Sequence, residues 1–369
     1  MHLHWPRPVA PPVMHPPAPA SAVVATRPDA SAAALRFPFP EPPRIGATLT
    51  VAEGLEWLRM PLPFALDHIN LWVLRDGDGV TLVDTGFNDD TTRGAWERVL
   101  AGQPPAARLI ATHYHPDHLG LAGWLTQRLN IGLWTTQGEF LTAHAVWDAA
   151  AGYDAEALVA LFRAHGLLGD RLEAVSDRGN HYRRTVSPLP RAYRRLCDGE
   201  TFAVDGRQWQ VMVGTGHAPE HAALYCASLG VLISGDMLLP RISTNTSVWS
   251  IEPEGDPVGQ FLASIRRFTA LPDDTLVLPA HGLPFRGIAA RVAALEAHHA
   301  ERLAELLEAS RAAPLTAFEV LPVLFRRPLD NHQLFFAMGE AIGHLNHLLR
   351  HGALSRQRDA SGVYRFRAA

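Results

Sequence analysis

The sequence predicts a protein of the α+β class that ends in a small, mainly helical domain. Short apolar runs that are typical of strands recur between residues 70 and 278, separated by Gly, Asp and Pro, with helical spacing between several of them. From residue 288 onwards the helical spacing dominates. A chain of 369 residues is long enough for one large domain with a smaller one attached to it.

The first predicted strands form a hairpin. Residues 70–75 and 80–84 have the composition of strands, and the turn sequence Asp76-Gly-Asp-Gly79 joins them. The pattern then predicts a helix at 91–100, a buried strand at 108–112, a helix at 119–129 and a strand at 132–136. Strand patterns return at residues 201–204, 209–213, 223–226, 231–234 and 275–278.

Three segments differ from this pattern and define the predicted domains. Residues 1–44 are rich in Pro and Ala, and because proline disrupts both helices and ladders, we expect a largely disordered tail. Residues 139–196 combine helical spacing with clustered arginines, which predicts a helical insertion in a central domain at 45–285. Residues 286–369 form the predicted helical domain, whose last residues we interpret as a small wing.

Composition and charge give no sign of a nucleic-acid or membrane protein. A formal net charge of −4 carries no strong overall bias towards either partner. No apolar run approaches the ~20 residues that span a bilayer, and the N-terminus lacks the features of a secretory signal. The two cysteines, Cys197 and Cys226, form no CxxC pair and fit a reducing compartment, so we expect a cytoplasmic protein without a membrane partner.

The densest group of candidate ligands is His113-Tyr-His-Pro-Asp-His118, directly after the predicted strand at 108–112. In an extended loop, alternate residues such as His113 and His115 can point the same way. Asp117 and His118 can then turn towards a neighbouring point as the next helix begins. Neutral imidazoles and carboxylates are the ligands that zinc prefers among groups other than thiolates, so the motif predicts a metal site.

Three later candidates each follow a predicted strand. His217 follows the strand at 209–213, Asp236 follows that at 231–234, and His281 follows that at 275–278. The end of a strand is where the edge of a sheet can bring distant segments together. A single histidine at such a position is more often structural, but together with the group at 113–118 these residues predict one convergent site.

These motifs, in this order, resemble those of the metallo-β-lactamase superfamily. The resemblance covers about residues 48–285 and rests on Val83-Asp-Thr-Gly86, His113-Tyr-His-Pro-Asp-His118, Gly216-His217, Gly235-Asp236 and Ala280-His281-Gly282. It implies a four-layer αββα sandwich with two divalent metal ions in a groove at one edge. Zinc is the expected metal, and the mixed oxygen and nitrogen ligands would also accept iron or manganese.

The resemblance also implies a role for each residue. The implied ligands of the first ion are His113, His115 and His217, those of the second are Asp117, His118 and His281, and Asp236 bridges the two. Asp84 would support the site through hydrogen bonds, with a turn residue at a strand end as the alternative interpretation. Asp117 and Asp236 are the expected catalytic residues: a hydroxide between the ions would attack a carbonyl, while Asp117 orients it or passes a proton to the leaving group.

The main functional hypothesis is a thioesterase-like hydrolase that acts on a small-molecule ester or thioester with an anionic group. No motif contains cysteine, which disfavours antibiotic hydrolysis as the main role. Arg183 and Arg184 could pair with an anion, for example in a coenzyme A thioester, and His221 could contact substrate at the groove. The alternative interpretations are a solvated helix face for the arginines and a packed or solvent-exposed histidine.

Two other hypotheses stay open. The C-terminal domain, including residues 341–354, resembles the winged-helix-like extension of one superfamily branch, in which some members cleave single-stranded RNA and others hydrolyse acyl thioesters. The first alternative is therefore a metal-dependent endoribonuclease or phosphodiesterase with RNA as its partner. The second is a non-hydrolytic binding or redox protein, although no flavin-binding segment is evident. The sequence predicts no oligomeric state.

Overall fold

The structure is a computed structural model that describes residues 35–64 and 66–369. Its centre is a pair of β-sheets packed face to face, with helices on both outer faces. Most of the predicted tail, residues 1–34, lies outside the described residues. In its last part Leu35 is buried in the core and Arg36 pairs with Arg286, so packed chain extends N-terminal to the predicted boundary at residue 45.

The first sheet has seven strands within the described residues, arranged in chain order across the sheet. Neighbours among the first four strands are antiparallel, whereas the fourth to the seventh run parallel. They are β1 (Thr48–Ala52), β2 (Leu55–Pro61), β3 (His68–Asp76), β4 (Gly79–Val83), β5 (Ala106–Ile110), β6 (Leu133–Thr135) and β7 (Tyr193–Arg195). β7 lies where the sequence predicted helix, because an edge strand lets Arg194 and Arg195 stay exposed while their backbone pairs with β6.

The second sheet has five strands within the described residues, in the order β12-β11-β10-β9-β8. They are β8 (Thr201–Val204), β9 (Arg207–Gly214), β10 (His221–Cys226), β11 (Val231–Gly235) and β12 (Leu276–Pro279). β11 and β12 run parallel, and the other neighbours are antiparallel. The ends of β11 and β12 therefore lie side by side.

Helices cover both outer faces and build the C-terminal domain. In chain order they are α1 (Asp90–Ala101), α2 (Pro116–Leu119), α3 (Ala122–Leu129), α4 (Gln137–Trp147), α5 (Ala155–Ala164), α6 (Asp170–Asp177), α7 (His181–Thr185), α8 (Pro257–Arg266), α9 (Ile288–Ala312), α10 (Leu321–Leu324) and α11 (Asn331–Arg350). No helix among residues 35–64 and 66–369 is both long and apolar enough to cross a bilayer.

Successive side chains of a strand point to opposite faces of its sheet, so each side chain faces either the other sheet or the outer helices. On β3, Trp72 faces the second sheet and shares a core with Trp209 of β9, whereas Leu71 faces outward and shares a core with Trp96 of α1. On the second sheet, Ala223 faces outward towards the apolar sides of α8 and α9. Two inner faces against each other, with helices on each outer face, confirm the predicted αββα sandwich.

The C-terminal domain is mainly helical, as predicted, and it closes on the antiparallel hairpin of β13 (Leu354–Arg358) and β14 (Tyr364–Ala368). Its core is not made by this domain alone. Phe162 of α5 and Leu172 of α6 lie in the same apolar cluster as Leu334 and Met338 of α11. The helical insertion and the C-terminal domain therefore pack as one unit, while the winged-helix likeness stays a prediction.

Candidate metal centre

Five loops carry the predicted ligands and their support to one edge of the sandwich. Asp84 follows β4, the loop at 113–118 follows β5, and His217 follows β9. Asp236 follows β11 and His281 follows β12. Because β4 and β5 are parallel, as are β11 and β12, the carboxyl ends of each pair coincide. The order of strands in the two sheets thus brings together residues that are far apart in the chain.

The first group of ligand atoms consists of three histidine nitrogens. His113 Nε2 lies 2.9 Å from His115 Nδ1 and 3.2 Å from His217 Nε2. Ligands bound tetrahedrally at the usual zinc distances are about 3.3 Å apart. His217 Nδ1 donates to the carbonyl of Asn245 at 2.8 Å, which leaves the Nε2 lone pair facing the other two rings. These three residues could hold one metal ion.

The second group consists of Asp117, His118 and His281. Asp117 Oδ2 lies 3.7 Å from His118 Nε2 and 3.4 Å from His281 Nε2. The far nitrogens are again engaged, since His281 Nδ1 donates to the carbonyl of His68 at 2.8 Å and His118 Nδ1 contacts Asp84 Oδ2 at 2.8 Å. Both Nε2 atoms therefore face Asp117, and this group could hold a second ion in place of their protons.

Asp236 lies between the two groups. Its Oδ2 is 3.3 Å from His217 Nε2, and its Oδ1 is 3.5 Å from both His118 Nε2 and His281 Nε2. One carboxylate therefore has an oxygen facing each group. The structure places all seven predicted ligands around this point, and the family resemblance implied the same central position for Asp236.

The electrostatics of the site suit cations. Burial lowers the pKa of His115 to about 3 and that of His113 well below its usual value, so both rings are neutral at pH 7. Burial raises the pKa of Asp117, but the neighbouring His118 and His281 outweigh it and hold this pKa at about 2. Burial lowers the pKa of His118, yet the carboxylates of Asp84, Asp117 and Asp236 raise it well above its usual value. The carboxylates of Asp84, Asp117 and Asp236 therefore stabilise a positive charge between them.

Two buried polar atoms test whether metal ions fit. His118 Nε2 and Asp236 Oδ1 have no hydrogen-bond partner among the described residues. A buried polar atom without a partner costs free energy, and a coordinated cation would satisfy both atoms at once. Neutral imidazoles and ionised carboxylates are also the donor set that divalent zinc, iron or manganese accepts. The residues present fit the implied metal ions.

Asp84 supports the second group. It is buried, its φ of 61° lies in the left-handed region, and its carboxylate accepts hydrogen bonds from Thr112 N at 2.7 Å and Thr112 Oγ1 at 2.9 Å. Its Oδ2 also orients His118 Nδ1. These contacts correspond to the supporting role predicted for Asp84, and a mere turn residue would not need them.

His221 occupies a different place from the one predicted. It is fully buried beside His113, with ring centroids 4.8 Å apart, and its Nε2 accepts a hydrogen bond from the backbone N–H of Asp236 at 3.1 Å. We therefore correct the prediction of a substrate contact: the side chain faces the backbone of β11 and orients Asp236. Its position at the start of β10, inside the sheet, explains the burial.

Other supporting residues were missed in the sequence. Glu139 of α4 is buried, and its two oxygens accept hydrogen bonds from Tyr114 N at 2.8 Å and Glu220 N at 2.7 Å, which ties together two ligand loops. Asn70 of β3 donates to the carbonyls of Pro279 at 2.9 Å and Gly282 at 2.8 Å, on both sides of His281. A lone polar residue in an apolar strand or helix is the signal that could have found them.

A cavity of about 400 Å³ adjoins the first ligand group. His115 and His217 border it, and its walls come from the helical insertion, residues 247–257 and α11. Neither Arg183 nor Arg184 lines it, because the first guanidinium lies over Trp147 and the second donates to the carbonyl of Arg178. The structure therefore places these two predicted substrate contacts outside the cavity. Arg178, which the sequence did not single out, is the arginine among the described lining residues.

Comparisons with known proteins agree with this geometry. A model of the metallo-beta-lactamase superfamily matches residues 65–281, and a model of the C-terminal domain of metallo-beta-lactamase-like proteins matches residues 303–369. Among proteins of known sequence, the chain is similar to the probable metallo-hydrolase YqjP of Bacillus subtilis, with 26% identity over 83% of this chain and 96% of that protein.

Two solved structures extend the likeness to most of the chain. A beta-lactamase domain protein from Burkholderia ambifaria has 44% sequence identity and a TM-score of 0.85, covering 92% of this chain and 100% of that one. A metallo-beta-lactamase family protein from Thermus thermophilus has 33% identity and a TM-score of 0.75, covering 87% of this chain and 100% of that one. The resemblance predicted from the motifs is confirmed: the chain belongs to the metallo-beta-lactamase superfamily, as a metal-dependent hydrolase with an additional C-terminal domain.

Proposed function

We propose that this protein hydrolyses a carboxylic ester or thioester at a centre that holds two divalent metal ions, zinc being the expected metal. The observation that carries the proposal is the position of Asp236, whose two oxygens face different ligand groups at 3.3 and 3.5 Å. A carboxylate placed in this way suits a bridging ligand between two cations. When bound, the ions would supply Lewis acidity and an activated water at neutral pH.

The chain itself supplies orientation and a route for a proton. Hydrolysis breaks the bond between the carbonyl carbon and sulfur or oxygen; the oxygen of water ends in the carboxylic acid, and one proton of that water ends on the leaving thiol or alcohol. Asp117 is the candidate for moving this proton, because 21% of its side chain is exposed to solvent while His118 and His281 keep it ionised. Asp84, His68 and Asn245 hold the imidazole ligands in the required tautomer.

The lining of the adjoining cavity favours an acyl substrate over RNA. Its walls are mostly aliphatic and aromatic, and Arg178 is its arginine within the described chain. Binding of RNA requires several cations that neutralise successive phosphates, as well as exposed aromatic platforms for bases. An apolar cavity beside a hydrolytic centre instead suits the acyl part of an ester or thioester.

Metal analysis of single-ligand variants tests the dinuclear centre. We expect two bound ions in the wild type, one in His115→Ala, one in His281→Ala, and weakened binding of both in Asp236→Ala. His144→Ala is the matched control, because this histidine bonds to the carbonyl of Pro190 and belongs to neither group. A wild-type protein that binds one ion or none after equilibration with zinc would overturn the dinuclear proposal.

A substrate panel tests the reaction. The metal-loaded protein is assayed with acyl thioesters, carboxylic esters, lactones, phosphodiesters and single-stranded RNA. We expect hydrolysis of esters or thioesters, reduced by at least about a hundredfold in Asp117→Ala, since positioned general acid–base groups contribute about 10²-fold or more. Cleavage of RNA or phosphodiesters alone, lost in Asp117→Ala, would replace the proposal by the nuclease hypothesis.

A further inference from the structure

The cavity beside the metal centre has the size and lining of a ligand site. Its volume of about 400 Å³ falls in the range of small-molecule pockets. Its apolar lining includes Val146 of α4, Leu158 of α5, Trp249, and Phe335 and Phe336 of α11. The first two come from the insertion and the last two from the C-terminal domain, so neither part forms the cavity alone.

The cavity is continuous with the ligand loops. Tyr114 and His115 line it, and Tyr182, another lining residue, donates its hydroxyl to the carbonyl of Tyr114 at 2.6 Å. The same walls that would bind a substrate therefore hold the loop that carries His115. An acyl group in this cavity would have its carbonyl end next to the metal centre.

Arg178 is the arginine of the described lining, and its guanidinium has no opposite charge beside it. It is half-buried, its guanidinium lies 4.2 Å from the ring centroid of Phe335, and its Nη1 donates to His332 Nδ1 at 3.3 Å. Among the described residues no carboxylate forms an ion pair with it. The described lining contains two carboxylates, and neither forms an ion pair with Arg178: Asp154 accepts from the backbone N–H groups of Gly152 and Ala157, and Glu252 is exposed.

An unpaired, partly desolvated cation is unfavourable in the free protein and is stabilised when an anion binds to it. The ring of Phe335, 4.2 Å from the guanidinium carbon, covers one side of this cation, and a guanidinium pairs well with a carboxylate or with a phosphate. Covering the exposed apolar surface of the same cavity with a ligand is also favourable, because it removes that surface from water.

We infer that the substrate is an ester or thioester with an apolar acyl body that fills this cavity and an anionic group that pairs with Arg178. The inference rests on the proposed hydrolase function and adds the substrate class to it. The anion is either a carboxylate on the acyl chain or a phosphate on the leaving group, since both sources offer the same chemistry to a guanidinium.

A series of straight-chain thioesters of N-acetylcysteamine, from acetyl to octanoyl, tests the apolar part. We expect kcat/KM of the metal-loaded wild type to rise roughly fourfold per added methylene until the cavity is full. Val146→Phe, which fills part of the cavity, should flatten this slope. Leu141→Phe is the matched control: it lies on the same helix, is 54% exposed, does not line the cavity, and should keep the wild-type slope.

Charged substrates test the anionic part. The rates with hexanoyl-N-acetylcysteamine are compared with those of its analogue that ends in a carboxylate and with those of hexanoyl-coenzyme A. The preference is the ratio of kcat/KM for a charged substrate to kcat/KM for the neutral one. In Arg178→Gln we expect this ratio to fall roughly tenfold or more for one of the two charged substrates. Arg183→Gln is the matched control, because Arg183 is exposed outside the cavity and should keep the wild-type preference.

The outcomes separate this inference from the proposed function. If no ester or thioester of any length is hydrolysed, the proposed function fails. If acetyl and octanoyl thioesters are hydrolysed at equal rates, or if Val146→Phe keeps the wild-type slope while thermal melting shows it to be folded, the apolar site is wrong. If folded Arg178→Gln keeps the wild-type preference for both charged substrates, the anion site is wrong.

Discussion

Replacing Asp84 by Asn probes how the support of a ligand determines metal affinity. The Asn side chain keeps one oxygen for Thr112 but places an N–H donor where Oδ2 now lies, 2.8 Å from His118 Nδ1. Two donors then face each other, and the negative charge is lost. The ring of His118 must lose its Nδ1 proton to accept from Asn, and the proton moves to Nε2, the atom that should bind metal.

The expected size of the effect follows from this contact. A hydrogen bond to a charged group contributes about 1.5–3 kcal/mol, which corresponds to a roughly 10- to 150-fold weaker Kd for the ion held by Asp117, His118 and His281. The ion held by His113, His115 and His217 should bind as in the wild type, because Asp84 orients none of these three residues directly. Competition with a chromophoric chelator measures the two affinities separately.

Asp89→Asn is the matched control for this experiment. Asp89 caps α1 by accepting from Thr92 N, and asparagine caps helices as well as aspartate does. This control should leave both metal affinities and the free energy of unfolding near their wild-type values. A folded Asp84→Asn protein with two wild-type affinities would refute the reasoning that the carboxylate sets the tautomer of His118.

Two further predictions concern stability. Burial raises the pKa of Glu340 to about 7, above the usual 4.5, so the stability that its protonated form contributes is lost as pH rises from about 4.5 through 7. The melting temperature of Glu340→Gln should therefore fall less than that of the wild type between about pH 5 and pH 8.5. Equal decreases in melting temperature would contradict the raised pKa. Gly216 has a φ of +99°, and a Cβ there would lie 2.4 Å from the carbonyl oxygen of Pro257. Gly216→Ala should lower the free energy of unfolding, measured with urea, by about 3 kcal/mol. Gly230→Ala is the control and should lower it by about 1 kcal/mol, because its φ is also positive but a Cβ there meets no described atom within 4 Å. Similar decreases in the two variants would show that the structure relieves the close approach at Gly216.

The C-terminal domain also contacts the metal centre through Asn245. This residue accepts from His217 Nδ1 through its carbonyl, while its side chain donates to Glu340 of α11 at 3.3 Å and accepts from Ser247 at 2.7 Å. Ser247 also contacts the carbonyl of Phe336 at 3.3 Å. The orientation of one candidate ligand therefore depends on the additional domain, which places Phe336 in the cavity as well.

The ligands were predictable from the sequence because each lies in a short local motif after a strand. The order of His113, His115, Asp117 and His118 within one loop, followed by His217, Asp236 and His281 after later strands, needs only local geometry and the rule that strand ends meet at a sheet edge. The αββα layers were expected from the family resemblance that these motifs carry, and in the structure the alternation within each strand agrees with them.

The tertiary structure alone decided which other side chains surround the site. Arg178 and Phe335 are 157 positions apart, and nothing in either local pattern shows that the insertion packs on α11. His221 lies in a motif next to His217, and spacing alone left a substrate contact and a packed side chain open; strand pairing decides for the packed side chain, which is buried beside His113. Motifs record what is close along the chain, whereas substrate cavities form where distant helices pack, and that packing depends on the shape of the whole core.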